Sequence, residues 1–429
     1  MLKEKIISPG DYVIFKCKDK EWEGTVLESY NPEVILLKIP SGYNIGLKED
    51  EIIDVKVLKN NEKREKEKVT PQKKENLPNI ALIITGGTIS SRLDPKTGGV
   101  IPTDEEEILK VCPEIKNICN ITIIEKPFLK FSEDMSLLDW KNIALTCEKY
   151  LNDENIAGVV VTHGTDFLHY GGAALSFMLG KLNKPVAITY SQRSIDRAST
   201  DAHLNLLCAA KYVTSDIAEL AIVGHKDLND EVCLAMPSTR VRKMHSTRRD
   251  TFKIINSSPI AEISKEDFRI LREFNARDNS RKIKANTNYS DKVALIKIYP
   301  GQDPDILEYY LSKGFKGIIL ELTGLGHVPS KNAKYNWLPS IKKAVDRGLL
   351  IFGCAQTIYG SLNLNVYSNG RELLKTGLVP LKDMLSETAF VKLSWLLGQK
   401  SFSNNKELIK EKMLENFCGE ISDSIGFNF

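Results

Sequence analysis

Two apolar runs in this chain each stop at a glycine turn flanked by threonine. Ile80-Ala81-Leu82-Ile83-Ile84 leads into Thr85-Gly86-Gly87-Thr88, and Gly158-Val159-Val160-Val161 leads into Thr162-His163-Gly164-Thr165-Asp166. Aliphatic, β-branched runs without polar alternation read as strands buried on both faces, the mark of a parallel sheet. In open α/β sheets, ligands sit at the carboxyl ends of such strands. The sequence therefore puts two hydroxyls, Thr88 and Thr165, and one carboxylate, Asp166, at the rim where chemistry is done. Glycines at 86, 87 and 164 let backbone approach a ligand closely, and N–H groups exposed there can stabilise an oxyanion.

From Pro78 onward the texture alternates strand and helix. Ile80–Ile84, Ile121–Ile124, Gly158–Val161, Val186–Thr189 and Leu220–Val223 read as strands, with helices at Leu137–Tyr150, Tyr170–Leu182 and Ala198–Val213. Such alternation means a parallel sheet with right-handed crossovers. The polar, unpatterned stretch from Asn275 to Ser290 reads as a connector. A second α/β run follows, with strands at Val293–Ile298, Gly317–Leu322 and Leu349–Gly353 and helices at Asp303–Lys313 and Pro339–Arg347. The first 58 residues differ: short runs at Asp11–Cys17, Glu23–Ser29, Val34–Ile39 and Ile52–Val57, punctuated by Asn31-Pro32 and Pro40-Ser41-Gly42, predict a small SH3-like β-barrel. The mixed-charge stretch after it lacks any core-forming period and reads as a solvated linker. The predicted organisation is a barrel over 1–58, a linker over 59–77, an α/β domain over 78–285 and a second over 286–429 that ends in a helical tail.

Composition narrows the class. A chain of 429 residues predicts two or three cores, and 42% hydrophobic with 27% charged residues is ordinary for a soluble globular protein. Its longest apolar stretches, about five residues, fall far short of the roughly 20 that span a bilayer. Met1-Leu2-Lys3-Glu4-Lys5 opens without an apolar signal core. Eight cysteines with no Cys-x-x-Cys pair suit reduced thiols in a cytoplasmic protein better than a disulfide scaffold or a zinc site. A net charge of +3 is too weak to argue for nucleic acid, and residues 1–60 carry nine basic against eleven acidic side chains.

An aliphatic hydroxyl is a poor nucleophile until a neighbour removes its proton. The run Val241-Arg242-Lys243-Met244-His245-Ser246-Thr247-Arg248-Arg249 offers that neighbour. A lysine desolvated beside Thr165 and Asp166 would draw a proton from threonine or water. Asp166 would orient the amine or grip a substrate ammonium. Blander readings stand beside these. Thr-Gly-Gly-Thr alone also suits a plain strand-end turn, and His163 and His245 suit packing better than ligation. Four basic side chains at 240–249 suit a solvated face, with a phosphate- or RNA-contacting strip as the alternative. Competing chemistries lack their motifs: there is no phosphate loop, no dinucleotide fingerprint, no Gly-x-Ser-x-Gly elbow and no His-Glu-x-x-His pair. Cys354, in Phe352-Gly353-Cys354-Ala355-Gln356, lacks the Gly-x-Cys-x-Gly turn of cysteine glutaminases.

Four motifs in order resemble the L-asparaginase/glutaminase family over about residues 78–398. They are Thr85–Ile89, Phe131-Ser132-Glu133-Asp134-Met135, Thr162–Asp166, and Val241–Met244 with the trailing Thr251-Phe252-Lys253. The resemblance implies a flavodoxin-like N-terminal domain, a smaller C-terminal α/β domain, and amide hydrolysis with no cofactor or metal. By the same resemblance Thr88 is the acyl-forming nucleophile. Thr165, Asp166 and Lys243 form a second hydroxyl–carboxylate–amine group. Ser132 and Glu133 hold the substrate α-carboxylate and α-ammonium, with Asp166 sharing the ammonium.

Two features resemble one branch more closely, the D-type subunits of archaeal-type glutamyl-tRNA(Gln) amidotransferases. One is the N-terminal barrel with its charged linker. The other is Ser191-Gln192-Arg193-Ser194-Ile195-Asp196-Arg197, which fits a Gln-Arg-Ser-x-Asp-Arg signature. The branch implies a protein that hydrolyses glutamine, or asparagine in its place, and passes ammonia to an E-type partner. That partner binds Glu-tRNA(Gln) and uses ATP and Mg2+. A homodimer core with two partner chains is implied, with tRNA contacted mainly through the partner and no membrane. A free-standing cytosolic L-asparaginase is the first alternative, and an RNA-binding or scaffold protein with a vestigial amidase fold is the second. One departure stands out. Family asparaginases carry a tyrosine in the loop after the first motif, whereas this chain has none between Tyr43 and Tyr150. That gap predicts a Thr88 weakly activated in the isolated chain.

Overall fold

The computed structural model describes residues 7–27, 29, 33–41, 43–59, 74–93, 100–102, 112–197 and 199–423. Most of the expected linker (60–73) and residues 94–99 of the loop after the first threonine turn lie outside the described residues.

At the N-terminus, β1 (Tyr12–Cys17), β2 (Glu21–Leu27), β3 (Val34–Lys38), β4 (Asn44–Lys48) and β5 (Ile52–Lys59) form an antiparallel sheet in the order β4-β3-β2-β1-β5. Val13, Phe15 and Cys17 alternate along β1 into a small core with Val26, Leu37, Leu47, Ile52 and Val55. The small all-β N-terminal domain expected from the sequence is this antiparallel sheet, with β5 returning to lie beside β1. Strand β4 carries no pattern a reader would catch: of its residues only Leu47 is buried.

The first α/β run begins with β6 (Asn79–Ile84). It continues through the short ribbon β7 (Ser91–Leu93) and β8 (Val100–Pro102), then β9 (Asn120–Glu125), α1 (Leu137–Leu151), β10 (Gly158–Thr162), α2 (Leu168–Leu179), β11 (Val186–Thr189), α3 (Ala202–Val213) and β12 (Leu220–His225). Strands β9, β6, β10, β11 and β12 lie parallel in that order. The sheet then extends by antiparallel pairing through β13 (Val232–Pro237), β16 (Ala261–Ser264) and β17 (Phe268–Ile270). A separate hairpin, β14 (Val241–Lys243) with β15 (Phe252–Ile254), lies between β13 and β16 in sequence. Ile80 to Ile84 and Val159 to Val161 are all buried, as their unbroken apolar pattern requires. Each of the Ile, Leu and Val side chains among them contributes roughly 1.5–3 kcal/mol by leaving water.

Helix limits follow local chemistry. Ser136 and Asp139 form a capping box at the start of α1. Helix α2 stops at Gly180, with φ +64°, short of the expected Leu182. Helix α3 starts at Ala202, later than expected, because the Asp201 carboxylate turns back to accept the N–H groups of Gln192 and Arg193.

The second α/β run comprises β18 (Val293–Lys297), α4 (Ile306–Ser312), β19 (Gly317–Leu322), α5 (Trp337–Asp346), β20 (Leu350–Ala355), α6 (Ser368–Leu374), β21 (Val379–Pro380), α7 (Ser386–Gly398) and α8 (Lys406–Leu414). Its four strands are parallel in chain order. The two runs share one apolar cluster: Leu168, Ala174 and Phe177 of α2 lie in it with Val391, Trp395 and Leu396 of α7. The Phe177 and Trp395 rings stack at 5.9 Å. The connector is strapped down at both ends. Arg277 donates to the carbonyls of Ala157 and Ser215, and the Trp395 indole donates to Asn286 O at 2.8 Å.

The C-terminal segment is locked by a fully buried ion pair, Lys392 Nζ to Glu420 Oε1 at 2.6 Å. Glu420 also accepts the backbone N–H groups of Phe417 and Cys418. Removing one member strands the other charge in the interior. Lys392→Met is therefore expected to cost about 3–5 kcal/mol, read as a drop in the denaturant midpoint, whereas Lys342→Met, which loses an exposed helix pair with Asp346, should cost under about 0.5 kcal/mol.

Candidate active site

The chain leaves β6 for β9 on one side of it and then returns to place β10 on the other. The carboxyl ends of β6 and β10 therefore flank the topological switch point, where open α/β sheets hold ligands. Both threonine turns are there.

The turns are in direct backbone contact. The Thr85 hydroxyl donates to Thr162 O at 2.7 Å. Gly87 has φ +78°, and a Cβ at that position would lie 2.4 Å from Gly164 Cα. Gly86, at φ +112°, would clash likewise with the Lys130 carbonyl at 2.3 Å. Only glycine admits both the backbone angle and the approach. Beyond Gly87 a tight turn over Thr88–Ser90 is closed by the hydroxyls of Ser90 and Ser91, which donate to Gly86 O and Gly87 O at 2.7 Å each.

Around Thr165 the parts converge. Lys243 Nζ, at the end of β14, lies 2.9 Å from Thr165 Oγ1 and 2.8 Å from Asp166 Oδ1. Thr165 is buried, Lys243 is mostly covered, and Asp166 faces outward. This is proton-transfer distance between an amine and a hydroxyl, with a carboxylate fixing the amine. Ser132, itself buried, packs against Gly164 and accepts the N–H groups of Asp166 (2.9 Å) and Phe167 (3.3 Å) through its hydroxyl. Thr165, Asp166, Lys243 and Ser132 thus form one hydrogen-bonded group. Thr88 is half-buried on the adjoining turn, and no described residue engages its hydroxyl. Glu133 sits exposed beside Ser132, without an ion pair among the described residues.

The basic run is not a solvated strip. Arg240 is buried against Asp383 at 2.9 Å, Arg242 meets Glu387 at 3.0 Å, Arg249 meets Asp230 at 2.5 Å and Arg248 meets Asp250 at 2.8 Å. Of these only Arg248 is substantially exposed. The expected solvated face, and the phosphate strip as its alternative, give way to a hairpin whose cations are already matched by carboxylates. The Arg242 partner went unseen in the sequence. Glu387 opens α7, and Ser386 beside it donates to the buried Glu321 of β19 at 2.6 Å. No local pattern joins an arginine in one run to a glutamate at the start of a helix in another; only the packing of α7 does.

Two histidines lie under the site. His163 is buried, with Nδ1 2.7 Å from Gly164 O, and burial pushes it down to about 4. His169 is pushed to about 3 by burial, with the positive charges of Arg242 and Lys243 adding to it. Both are neutral packing groups near pH 7. His245 accepts the N–H groups of Thr247 and Arg248 and closes a surface turn.

Residues 79–275 match the family model "Asparaginase, N-terminal", 292–413 match "Glutaminase/Asparaginase C-terminal domain" and 7–58 match "GatD N-terminal domain". The chain is 44% identical to the D-type subunit of glutamyl-tRNA(Gln) amidotransferase from Pyrococcus furiosus, over 98% of this chain and 96% of that protein. Its counterpart in Methanococcus maripaludis is 42% identical over 97% and 98%. The chain belongs to the family of D-type glutamyl-tRNA(Gln) amidotransferase subunits. Among solved structures it is similar to the thermostable L-asparaginase of Thermococcus kodakarensis (TM-score 0.70, 27% identity, 81% of this chain and all of that one). L-asparaginase I of Vibrio cholerae follows at TM-score 0.68, 27% identity, 81% and 99%. The D-type family is thus built on an asparaginase frame, and the antiparallel N-terminal sheet sets it apart from these asparaginases.

The two neutral histidines predict acid sensitivity. Their folded values lie below the ordinary 6.5, so the unfolded chain binds more protons and stability falls as pH drops from 6.5 toward 4. His163 alone should account for about 3 kcal/mol between pH 7 and 4. Urea midpoints across that range should fall, and His163→Gln should flatten the slope.

Proposed function

We propose that this chain is the ammonia-producing glutaminase component of a tRNA-dependent amidotransferase. The observation that carries it is Lys243 bridging Thr165 and Asp166 beside the Thr88 turn, in a chain whose N-terminal residues match the GatD module. Ser132 and Glu133 hold the α-carboxylate and α-ammonium of glutamine, with asparagine an acceptable substitute, and Asp166 shares the ammonium. Ser132 keeps its own proton for the carboxylate, since both of its hydrogen bonds here are accepted ones.

Thr88 attacks the side-chain amide carbon. The oxyanion is met by turn N–H groups, ammonia departs with the proton from the hydroxyl, and a γ-glutamyl ester remains on Thr88. Water activated by Thr165 and Lys243 then splits that ester, releasing glutamate and restoring Thr88. Neither half-reaction calls for a metal or cofactor in this chain. The ammonia goes to an E-type partner that binds Glu-tRNA(Gln), activates its glutamate with ATP and Mg2+, and forms Gln-tRNA(Gln). We assign a homodimer core with two partner chains, a cytoplasmic location, and tRNA contact made mainly by the partner. The neutralised basic hairpin supports that division of labour, since it leaves no cationic strip there for phosphates.

A Thr88 hydroxyl with no partner among the described residues and a loop without tyrosine support a nucleophile that is completed in the assembly. Partner and charged tRNA would complete the site around Thr88.

Two measurements test this reading. Ammonia release from glutamine by the pure chain should be slow and should rise by orders of magnitude on adding an E-type partner with Glu-tRNA. Full partner-independent turnover would instead favour a free-standing asparaginase. In the assembled enzyme, Lys243→Met should lower ammonia release at least about 100-fold with an unchanged circular dichroism spectrum, and a near-normal rate would remove Lys243 from its role.

A further inference from the structure

Away from the threonine turns, three side chains of different chemistry converge. Cys112 precedes the single turn Pro113–Asn117, Glu114 lies within that turn, and His203 is in the first turn of α3. The Cys112 thiol, the His203 ring and the Glu114 carboxylate each present a ligand atom within 4.8 Å of the other two. His203 Nε2 already stands 3.0 Å from Glu114 Oε2. In a tetrahedral zinc site, bonds of roughly 2.0–2.3 Å put ligand atoms about 3.3–3.8 Å apart. The triad therefore needs a contraction of about 1 Å, within rotamer adjustment, to enclose an ion.

We propose that Cys112, Glu114 and His203 form a zinc-binding site, with water in the fourth position. One sulfur, one nitrogen and one oxygen make a donor set that zinc accepts, and the thiolate disfavours magnesium and calcium. The burial is graded in the way an open site needs. Cys112 lies at 1% exposure in the same apolar cluster as Ile80, Leu82 and Ile115, whereas the Glu114 side chain is 47% exposed. The ion enters from the carboxylate side and is anchored by sulfur below.

The site has a mechanical consequence. Asp201, just before α3, holds Gln192 and Arg193 by their N–H groups, and Ile195 N in the same loop donates to Ser91 O, three residues past Thr88. A metal bond from His203 to Cys112 fixes the start of α3. It thereby fixes the Gln-Arg-Ser-x-Asp-Arg loop against the strand that follows the nucleophile. The role is positional, and none of the three ligands touches the Thr165–Asp166–Lys243 group.

The test uses the full-length reduced chain, stripped with chelator and titrated with Co2+ and then Zn2+. One Co2+ per chain should bind with a near-ultraviolet thiolate-to-cobalt charge-transfer band and the strong visible bands of four-coordinate cobalt, and Zn2+ should displace both. Cys112→Ser should abolish the charge-transfer band. Glu114→Gln, an exposed change that leaves folding intact by circular dichroism, should weaken Zn2+ binding by more than about tenfold, as should His203→Ala. Absence of stoichiometric binding, or a charge-transfer band that survives Cys112→Ser, overturns the proposal. Unchanged Zn2+ affinity in Glu114→Gln and His203→Ala overturns it equally.

Discussion

The contact on which the site depends is backbone against backbone, Gly87 on Gly164. With 2.4 Å between a would-be Cβ and the opposing Cα, no side chain fits between the two turns. That closeness brings two strand ends together as one rim. Thr85 ties the turns by its hydroxyl, and Ser132 fills the space behind Gly164 and accepts the amides of Asp166 and Phe167 just before α2. Thr88 on one turn and Thr165–Asp166 on the other then share one rim at the switch point of the sheet.

The second organising force is charge matching across the chain. The β14–β15 hairpin carries Lys243 to Asp166, yet it is steadied by carboxylates from the other α/β run, Glu387 for Arg242 and Asp383 for Arg240. The buried pair Arg240–Asp383 adds little net stability over apolar residues of like volume, but removing one partner is costly because a bare charge remains. The effect of these pairs is geometric. They hold an amine 2.9 Å from a hydroxyl. Cations that look like a nucleic-acid strip in one dimension are used in three dimensions to hold a hairpin.

What could be read in advance follows the range of each signal. Parallel strands were legible because Ile80–Ile84 and Val159–Val161 are apolar without a break. Helix α1 was legible because its buried residues recur at helical spacing. The helix starts at Tyr170 and Ala198 were misplaced because the true limits are set by nonlocal groups: Ser132 receives the amides before α2, and Asp201 folds back on Gln192 before α3. Strand β4 and the antiparallel strands β13, β16 and β17 escaped because their pattern is short and their pairing comes from neighbours. The residues named for the site were read from motifs. That four of them share hydrogen bonds, while Glu133 stands apart and exposed, was not in the motifs.

By itself, then, the sequence determined the two glycine turns at the ends of buried strands, the α/β alternation and the identity of the polar groups at the rim. Those are consequences of short-range sterics and of side chains that water rejects. The tertiary structure decided which lysine meets which threonine, that the basic run is neutralised, that β5 returns to pair with β1, and that Cys112, Glu114 and His203 meet. Each of these joins residues far apart in the chain. Such pairs are selected by packing and charge compensation in the folded state, which leave no period or spacing along the sequence.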